Sequence, residues 1–396
     1  MFLGRIIKRF MQLEAGGGIA LFFMAMLALI IENTPARVYY LQFFQTIFSI
    51  QFGSFGLAKP VLLWINDGFM AIFFLLVGLE IKRELFEGEL NSVAKAILPA
   101  IAAVGGMIVP ALIYIGFNWG DAKALSGWAI PTATDIAFSL GILSLLGNRI
   151  PPALKIFLMA LAIFDDIGAI VIIAIFYTKH IAFSSLLLAL VLVACLILLN
   201  RLKITHYFPY FLVGIVLWLC VLQSGVHATL SGIIVAFAIP LRDPKKPNYL
   251  PAQQLIKSLH PWVAFGILPL FAFANAGIFF EGLSWRHFIG PISLGIAFGL
   301  FIGKQAGIWI ASWLAVRLNI AKMPEDSSIA GVYGIALLGG VGFTMSLFIG
   351  SLAFEYGDLQ NAMVRTGVMM GSLVSGILGY LWLYYFYPKR NYSARG

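Results

Sequence analysis

The sequence predicts an all-α polytopic membrane protein with twelve transmembrane helices. It further predicts two inverted-topology three-helix repeats, discontinuous helices IV and XI, and a small extracytoplasmic β-hairpin between helices I and II. Three observations carry this fold class. Of 396 residues, 61% are hydrophobic and 11% charged, where soluble domains hold about 25% charged residues. Apolar stretches of roughly 20 residues, the length of one crossing, recur along the whole chain. Two of them are interrupted by helix breakers at matching places in two triplets of spans.

The composition also excludes things. No stretch is polar enough or long enough for a soluble domain, so residues 1–396 read as a single integral membrane domain. Cys195 and Cys220 fall inside apolar runs and read as small buried hydrophobes. Neither a disulfide framework nor metal-ligand spacing is present. Met1 to Ala15 carries Arg5, Lys8 and Arg9 without an apolar core and a small-residue cleavage site, so no signal peptide is expected. The formal charge of +9 fits cytoplasmic loops better than nucleic-acid binding.

In chain order the spans fall near 13–31, 59–80, 96–116, 125–146, 152–176, 182–199, 206–221, 224–239, 259–279, 289–313, 328–352 and 360–386. The eighth is short. The second can run past Glu80, where Lys82, Arg83, Glu84, Glu87 and Glu89 continue it with polar residues, and the ninth can start before Leu259. With both termini inside, 19 Lys and Arg residues lie on the cytoplasmic side and 6 outside, with Lys304 inside a span. Lys82, Arg83 and Lys95 belong to the inner set. Arg37, Lys59, Lys123, Lys179, Arg286 and Arg365 make the outer one. Positive charge concentrates on the cytoplasmic side, which supports an even span count and this orientation.

Between the first two spans, residues 46–58 hold β-type residues on both sides of Gly53-Ser54. That pattern suggests a hairpin with a two-residue turn, and an irregular outer loop competes with it. A hairpin with free edges can pair with a second copy, so a homodimer is expected.

The fourth span contains Pro131, Thr132, Thr134 and Asp135. Proline removes a backbone donor and clashes with the preceding turn. Unwound backbone at membrane depth is tolerated where it lines a cavity; a kinked but continuous helix is the alternative. The eleventh span holds Gly339, Gly340 and Gly342. They read as a second break, or as close helix packing through small residues. Each interrupted span sits between two intact ones, so 95–176 and 289–386 form two triplets. An odd number of spans per triplet makes their topologies opposite, giving an inverted-repeat core. Residues 10–90 and 182–280 are left as an interface or dimerisation bundle.

The deep ionisable residues are few: Asp135, Asp165, Asp166 and Lys304. An ionised side chain at the bilayer centre costs on the order of 2.5–3.5 kcal/mol on the most lenient scale. Adjacent carboxylates demand a reason, and an ion or proton pathway is the default. Asp165 and Asp166 point about 100° apart on a helix, so one can face an ion while the other faces Lys304. Carboxylate oxygens suit Na⁺ or Li⁺ and also take protons. A carboxylate binding either one makes them compete, and competition at a shared site gives antiport. Asp135 and Lys304 also suit the ends of broken helices, a carboxylate beside N-termini and an ammonium beside C-termini. A structural salt bridge is the plainer reading of each charge. His227 titrates near neutral pH and can sense it, or it is a hydrogen-bonded interface histidine. Glu80, Arg83 and Glu84 share one helical face, where they tune proton access or simply pair.

These segments resemble the bacterial NhaA sodium/proton antiporter family over nearly the whole chain. The resemblance is carried by Phe73 to Glu84, by Trp128 to Phe138 and by Ala162 to Ala169. Ser224 to Thr229, Leu259 to Trp262, Phe271 to Gly277 and Gly303 to Gln305 add to it. That family is itself a standing example of inverted repeats with discontinuous helices. The resemblance implies an electrogenic, inner-membrane antiporter that expels Na⁺ or Li⁺ against inward protons and has no cofactor. It implies Asp166 as the central ion ligand, Asp165 beside it and paired with Lys304, and Asp135 with Thr134 at the crossing. It also implies a dimer joined by the outer hairpin, in contact with membrane lipids. An alkaline response would involve Glu80, Arg83, Glu84 and His227. One departure stands out: four residues before His260, where the family pattern has Glu, this chain has Ile256 followed by Lys257. The pH response is therefore expected to be shifted.

The rivals are weaker. The Gly-x-Gly-Asp segment of an intramembrane aspartyl protease is missing, as is the Gly-x-Ser-Gly of a rhomboid-like one, so the chain is not expected to be an enzyme. A Na⁺-coupled solute symporter of similar build is the better alternative.

Overall fold

A computed structural model describes residues 15–52, 55–178, 182–243, 245–246, 249–281, 288–355 and 357–387. The expected turn at Gly53-Ser54, both chain termini, Lys179 and Arg286 lie outside the described residues. The chain is mostly helical. Among the described residues, eight helices are long and apolar enough to cross a membrane, or up to eleven if each bent pair is one span.

Helix α1 (Gly16–Glu32) is followed, after a bend of 112°, by α2 (Arg37–Gln45). The sequence reading has no counterpart to α2. Its Val38, Tyr39 and Phe43 are exposed while Tyr40 and Phe44 are buried. Strands β1 (Ile47–Phe52) and β2 (Phe55–Pro60) then pair antiparallel, from Ile47 opposite Pro60 to Phe52 opposite Phe55. The hairpin is present, and its strands frame the expected turn.

Helix α3 (Val61–Phe86) carries a π-helical turn at Trp64–Phe69, after its first three residues, and runs on through the polar residues after Glu80. Helix α4 (Val93–Phe117) follows. Next come α5 (Ala122–Thr132) and α6 (Ile136–Leu145), bent by 41° where they meet. Asp121 caps α5, accepting the Lys123 and Ala124 amides at 3.0 Å each, which satisfies donors that a helix start leaves open.

Helices α7 (Pro152–Phe176), α8 (Phe183–Arg201) and α9 (Tyr207–Ser224) come next. Leu187, Val191 and Leu198 of α8 are exposed, as apolar side chains facing hydrocarbon are. Gly225, at φ +85°, ends α9 in the left-handed region that glycine enters without strain. The eighth expected span then contains only the nine-residue α10 (Leu230–Ala238). Alone it rises about 14 Å at ~1.5 Å per residue, short of a crossing.

Helix α11 (Pro251–Asn275) does begin before Leu259, and α12 (Pro291–Arg317) carries a π-helical turn at Gly299–Gly303. Helices α13 (Ile329–Gly339) and α14 (Phe343–Ala353) bend by 44° at their junction, and α15 (Leu359–Phe386) closes the described chain.

By internal contacts the chain divides into two units. The first comprises Met1–Phe23, Ser92–Ala169 and Ile278–Gly396; the second comprises Met24–Asn91 and Ile170–Gly277. In the first unit, Leu98, Leu143, Leu158, Leu161, Val332 and Leu383 belong to one buried apolar cluster. Helices α4 and α12 approach there without intervening side chains: a Cβ on Gly307 would lie 2.1 Å from the Gly105 carbonyl oxygen. Only glycine allows backbones so close.

In the second unit, α10 packs against α3 in the same way, since a Cβ on Gly232 would meet the Ala71 carbonyl oxygen at 2.0 Å. Lys82, counted among the cytoplasmic-side cations, is buried. Its Nζ donates to the Phe237 and Ile239 carbonyls at 2.7 and 2.6 Å, and Asn200 donates to Ala238 at 2.6 Å. Three carbonyls left open by the end of α10 thus find side-chain donors. Arg365, assigned to the outer side, is buried in α15.

Candidate functional site

The first unit gathers the deep charges where two helices stop and restart. Helix α5 ends in a 3₁₀ turn, Ile130–Thr132, that contains Pro131. Ala133 is extended, and Asp135, also non-helical, is the N-cap of α6. Across from it, α13 stops at Gly339 and α14 restarts at Phe343. The Asp135 amide donates to the Val341 carbonyl at 2.7 Å, joining the two interruptions through their backbones.

The restarting ends leave amide donors and partial positive charge that a membrane interior does not satisfy. Asp135 answers both. Its Oδ1 accepts the Phe138 amide at 2.9 Å, capping its own helix. Its Oδ2 accepts the Thr344 amide at 2.9 Å and the Thr344 hydroxyl, capping the other. Ser372 of α15 completes the second cap: its Oγ accepts the Gly342 and Phe343 amides at 3.2 and 3.1 Å.

The stopping ends leave carbonyls. Thr134 Oγ lies 2.8 Å from the Gly339 carbonyl oxygen and 2.6 Å from Asp165 Oδ2. The same carboxylate oxygen accepts from Lys304 Nζ, in a salt bridge whose side chains are wholly buried. A chain of contacts thus runs from Lys304 through Asp165 and Thr134 to the end of α13. Lys304 follows the π-turn of α12 directly; such a turn shifts the register of the side chains after it. Asp165 Oδ1 is buried and accepts no hydrogen bond among the described residues. Asp166 is 3% exposed and interacts electrostatically with Lys304.

Of the residues singled out in the sequence, Thr134, Asp135, Asp165, Asp166 and Lys304 are all buried in this unit. Asp165 and Lys304 pair as the sequence reading expected, and Asp135 meets helix N-termini. Glu80, Arg83, Glu84 and His227 belong to the second unit. Arg83 pairs with Glu84 at 2.6 Å, Glu80 is half-buried beside them on α3, and His227 is half-buried in the turn before α10. Ile256, at the departure from the family pattern, is buried.

Sequence reasoning assigned no role to Thr344 or Ser372. Thr344 carried a usable signal, a hydroxyl one residue into a helix that restarts after glycines. Ser372 carried none, because it caps a helix other than its own.

The buried carboxylate oxygens suit a hard monovalent cation or a proton. The sequence profile of the family described as Na⁺/H⁺ antiporter 1 matches residues 8–383. A Rhodospirillum rubrum protein named Na(+)/H(+) antiporter NhaA is 56% identical over 382 residues, 95% of this chain and 96% of its own length. One from Syntrophotalea carbinolica, named Na(+)/H(+) antiporter NhaA 1, is 53% identical over 388 residues, 98% of each chain. A Proteus mirabilis protein, also named Na(+)/H(+) antiporter NhaA, is 50% identical over 385 residues, 97% of this chain and 98% of its own.

Proposed function

Because the chain belongs to the Na⁺/H⁺ antiporter 1 family and exchanges Na⁺ for H⁺ across a membrane, we propose that Asp166 is the central ligand of the exchanged ions. The chain is a transporter and not an enzyme. Na⁺ and H⁺ are its cargo.

The observation that carries this reading is the buried chain of Lys304, Asp165 and Thr134, with Asp166 beside it, at the junction of two interrupted helices. Asp165 shares the ion with Asp166 and gives one oxygen to Lys304. Thr134 adds a hydroxyl. Asp135 acts through the two helix N-termini it caps, and Lys304 offsets the buried negative charge. A carboxylate that holds either Na⁺ or a proton cannot hold both. Inward protons therefore displace Na⁺ outward, and more than one proton entering per Na⁺ makes the exchange electrogenic. Li⁺, a hard cation of the same charge, is a second cargo.

The surrounding architecture follows this reading. Twelve spans carry the chain, with α5–α6 as helix IV, α13–α14 as helix XI and the turn-plus-helix around α10 as helix VIII. Residues 95–176 and 289–386 form the inverted-repeat core that alternates access. Residues 10–90 and 182–280 form the bundle that pairs two copies through the hairpin, among membrane lipids. The protein sits in the bacterial inner membrane with both termini cytoplasmic, and Glu80, Arg83, Glu84 and His227 adjust its activity to pH. The concentration of cations on the cytoplasmic side supports that orientation. No observation favours a Na⁺-coupled solute symporter.

The test is proton movement in proteoliposomes that enclose a pH dye. Added Na⁺ should move protons, and Asp166→Asn should stop the movement in a protein that still folds. Folded wild-type protein that moves no protons on Na⁺ addition, at neutral and alkaline pH alike, sinks the proposal.

A further inference from the structure

We propose that Ser139 and Ser346 are reciprocal positioning residues that hold the two interrupted spans in the register Na⁺ binding requires. Ser139 Oγ donates to the Leu338 carbonyl at 2.9 Å, and Ser346 Oγ donates to the Ile130 carbonyl at 2.7 Å. Both serines are fully buried. Each is the fourth residue of a restarting helix, α6 or α14, and each reaches the closing turn of the other span's stopping helix. The arrangement is the same in both directions.

Neither hydroxyl is placed to serve its own helix. In a helix a serine commonly bonds a carbonyl three or four residues back; here both bonds cross to the opposite span. Each supplies a donor to a helix end that is buried in protein and away from water. Leu338 immediately precedes Gly339, whose carbonyl faces Thr134, and Thr134 faces Asp165. The Ser139 bond therefore fixes where Thr134 finds Gly339, and through it where Thr134 meets the carboxylate. On the other side, Ile130 begins the 3₁₀ turn that leads into Thr134, so the Ser346 bond holds the same threonine from the opposite direction. Among the described residues neither serine hydroxyl bonds a carboxylate or Lys304, so they act through Thr134 and not on the ion.

The test is the Na⁺ concentration for half-maximal exchange, read beside the maximal rate in proteoliposomes. Ser139→Ala and Ser346→Ala should each raise half-saturation about tenfold, as loss of the bond to a buried carbonyl implies, with the maximal rate changed less. The double variant should fall short of the product of the two, because both act on one register. Ser312→Ala serves as control: that serine is equally buried in α12, and its hydroxyl meets no partner among the described residues. It should leave half-saturation unchanged.

Should an alanine variant not fold, Ser139→Cys and Ser346→Cys preserve the small volume with a weaker donor. They should shift half-saturation in the same direction by less. Half-saturation that stays at the wild-type value in the serine variants while folded yield falls means a merely structural role and overturns the proposal. An equal shift in the Ser312 control overturns it too. The proposal rests on the exchange site described above; absent exchange in wild-type protein would sink that reading, whereas unmoved half-saturation sinks only this one.

Discussion

Asp135 accepts both the backbone amide and the hydroxyl of Thr344, so a carboxylate from one interrupted span caps the restarting helix of the other. It caps its own helix with the remaining oxygen. One negative charge therefore faces two helix N-termini, each worth roughly half a positive charge.

Replacing Asp135 with Asn tests whether that charge serves the helices or the ion. The amide can still accept from Phe138, but it puts a donor or a neutral oxygen opposite Thr344. Charge-assisted capping is worth about 1–2 kcal/mol in partly buried geometries. Thermal unfolding of the purified variant should show a loss of that size. Half-saturating Na⁺ should stay near the wild-type value. A large rise would make Asp135 a direct ligand and remove its assignment as a cap.

The buried Lys304–Asp165 pair makes an unusual prediction about double substitution. Lys304→Gln leaves a buried carboxylate without its counter-charge, which costs about 3–5 kcal/mol in comparable sites. Adding Asp165→Asn removes that carboxylate, so the double variant should be more stable than Lys304→Gln alone. Unfolding curves for the two singles and the double decide it. A double less stable than either single would mean that the pair is not the dominant interaction of its members.

Much of this site was legible in the sequence. Carboxylates and a lysine inside apolar runs announce themselves because they are so costly there, and Pro131 and the Gly339–Gly342 cluster mark the interruptions. The separation of adjacent side chains on a helix showed that one aspartate could face Lys304 while the other faced an ion, and the family resemblance implied that the first is Asp165. The serines announce nothing: Ser139, Ser346 and Ser372 are small residues in apolar company, and their bonds run to distant backbone. The burial of Lys82 was hidden for a different reason. A lysine just beyond an apolar stretch reads as a solvated cation, yet here the end of α10 supplies the acceptors that water would otherwise provide. The shortness of the eighth span was legible, but not that its helix would be only the nine residues of α10.

A pair of glycines on α4 separates packing from propensity. Gly105→Ala would place Cβ 2.4 Å from the Gly307 carbonyl oxygen, whereas a Cβ at Gly116 meets nothing within 4 Å. Overpacking costs about 1–3 kcal/mol, while glycine to alanine in an unobstructed helix gains roughly 0.5–1 kcal/mol. Gly105→Ala should lower the unfolding temperature and Gly116→Ala should hold or raise it. Equal behaviour of the two would mean that the α4–α12 approach is looser than described.

The proposed competition at one carboxylate site fixes the sign of the pH dependence. Protons occupy the site as pH falls, so half-saturating Na⁺ should rise with proton concentration, and saturating Na⁺ should recover much of the maximal rate. Measuring exchange against Na⁺ at a series of pH values distinguishes this from a separate gate. A gate lowers the maximal rate at low pH with half-saturation unchanged.

The contact between Gly105 and Gly307 bears on how the ammonium can travel. Side chains between two helices act as bearings, letting one rod slide over the other as rotamers change. Here backbone meets backbone at Gly105 and Gly307, with the Ile308 and Ala311 side chains packed beside the contact. Lys304 stands one turn before Gly307 on the same rod. A displacement of Lys304 along the axis of α12 would therefore slide Gly307 against the Gly105 carbonyl of α4.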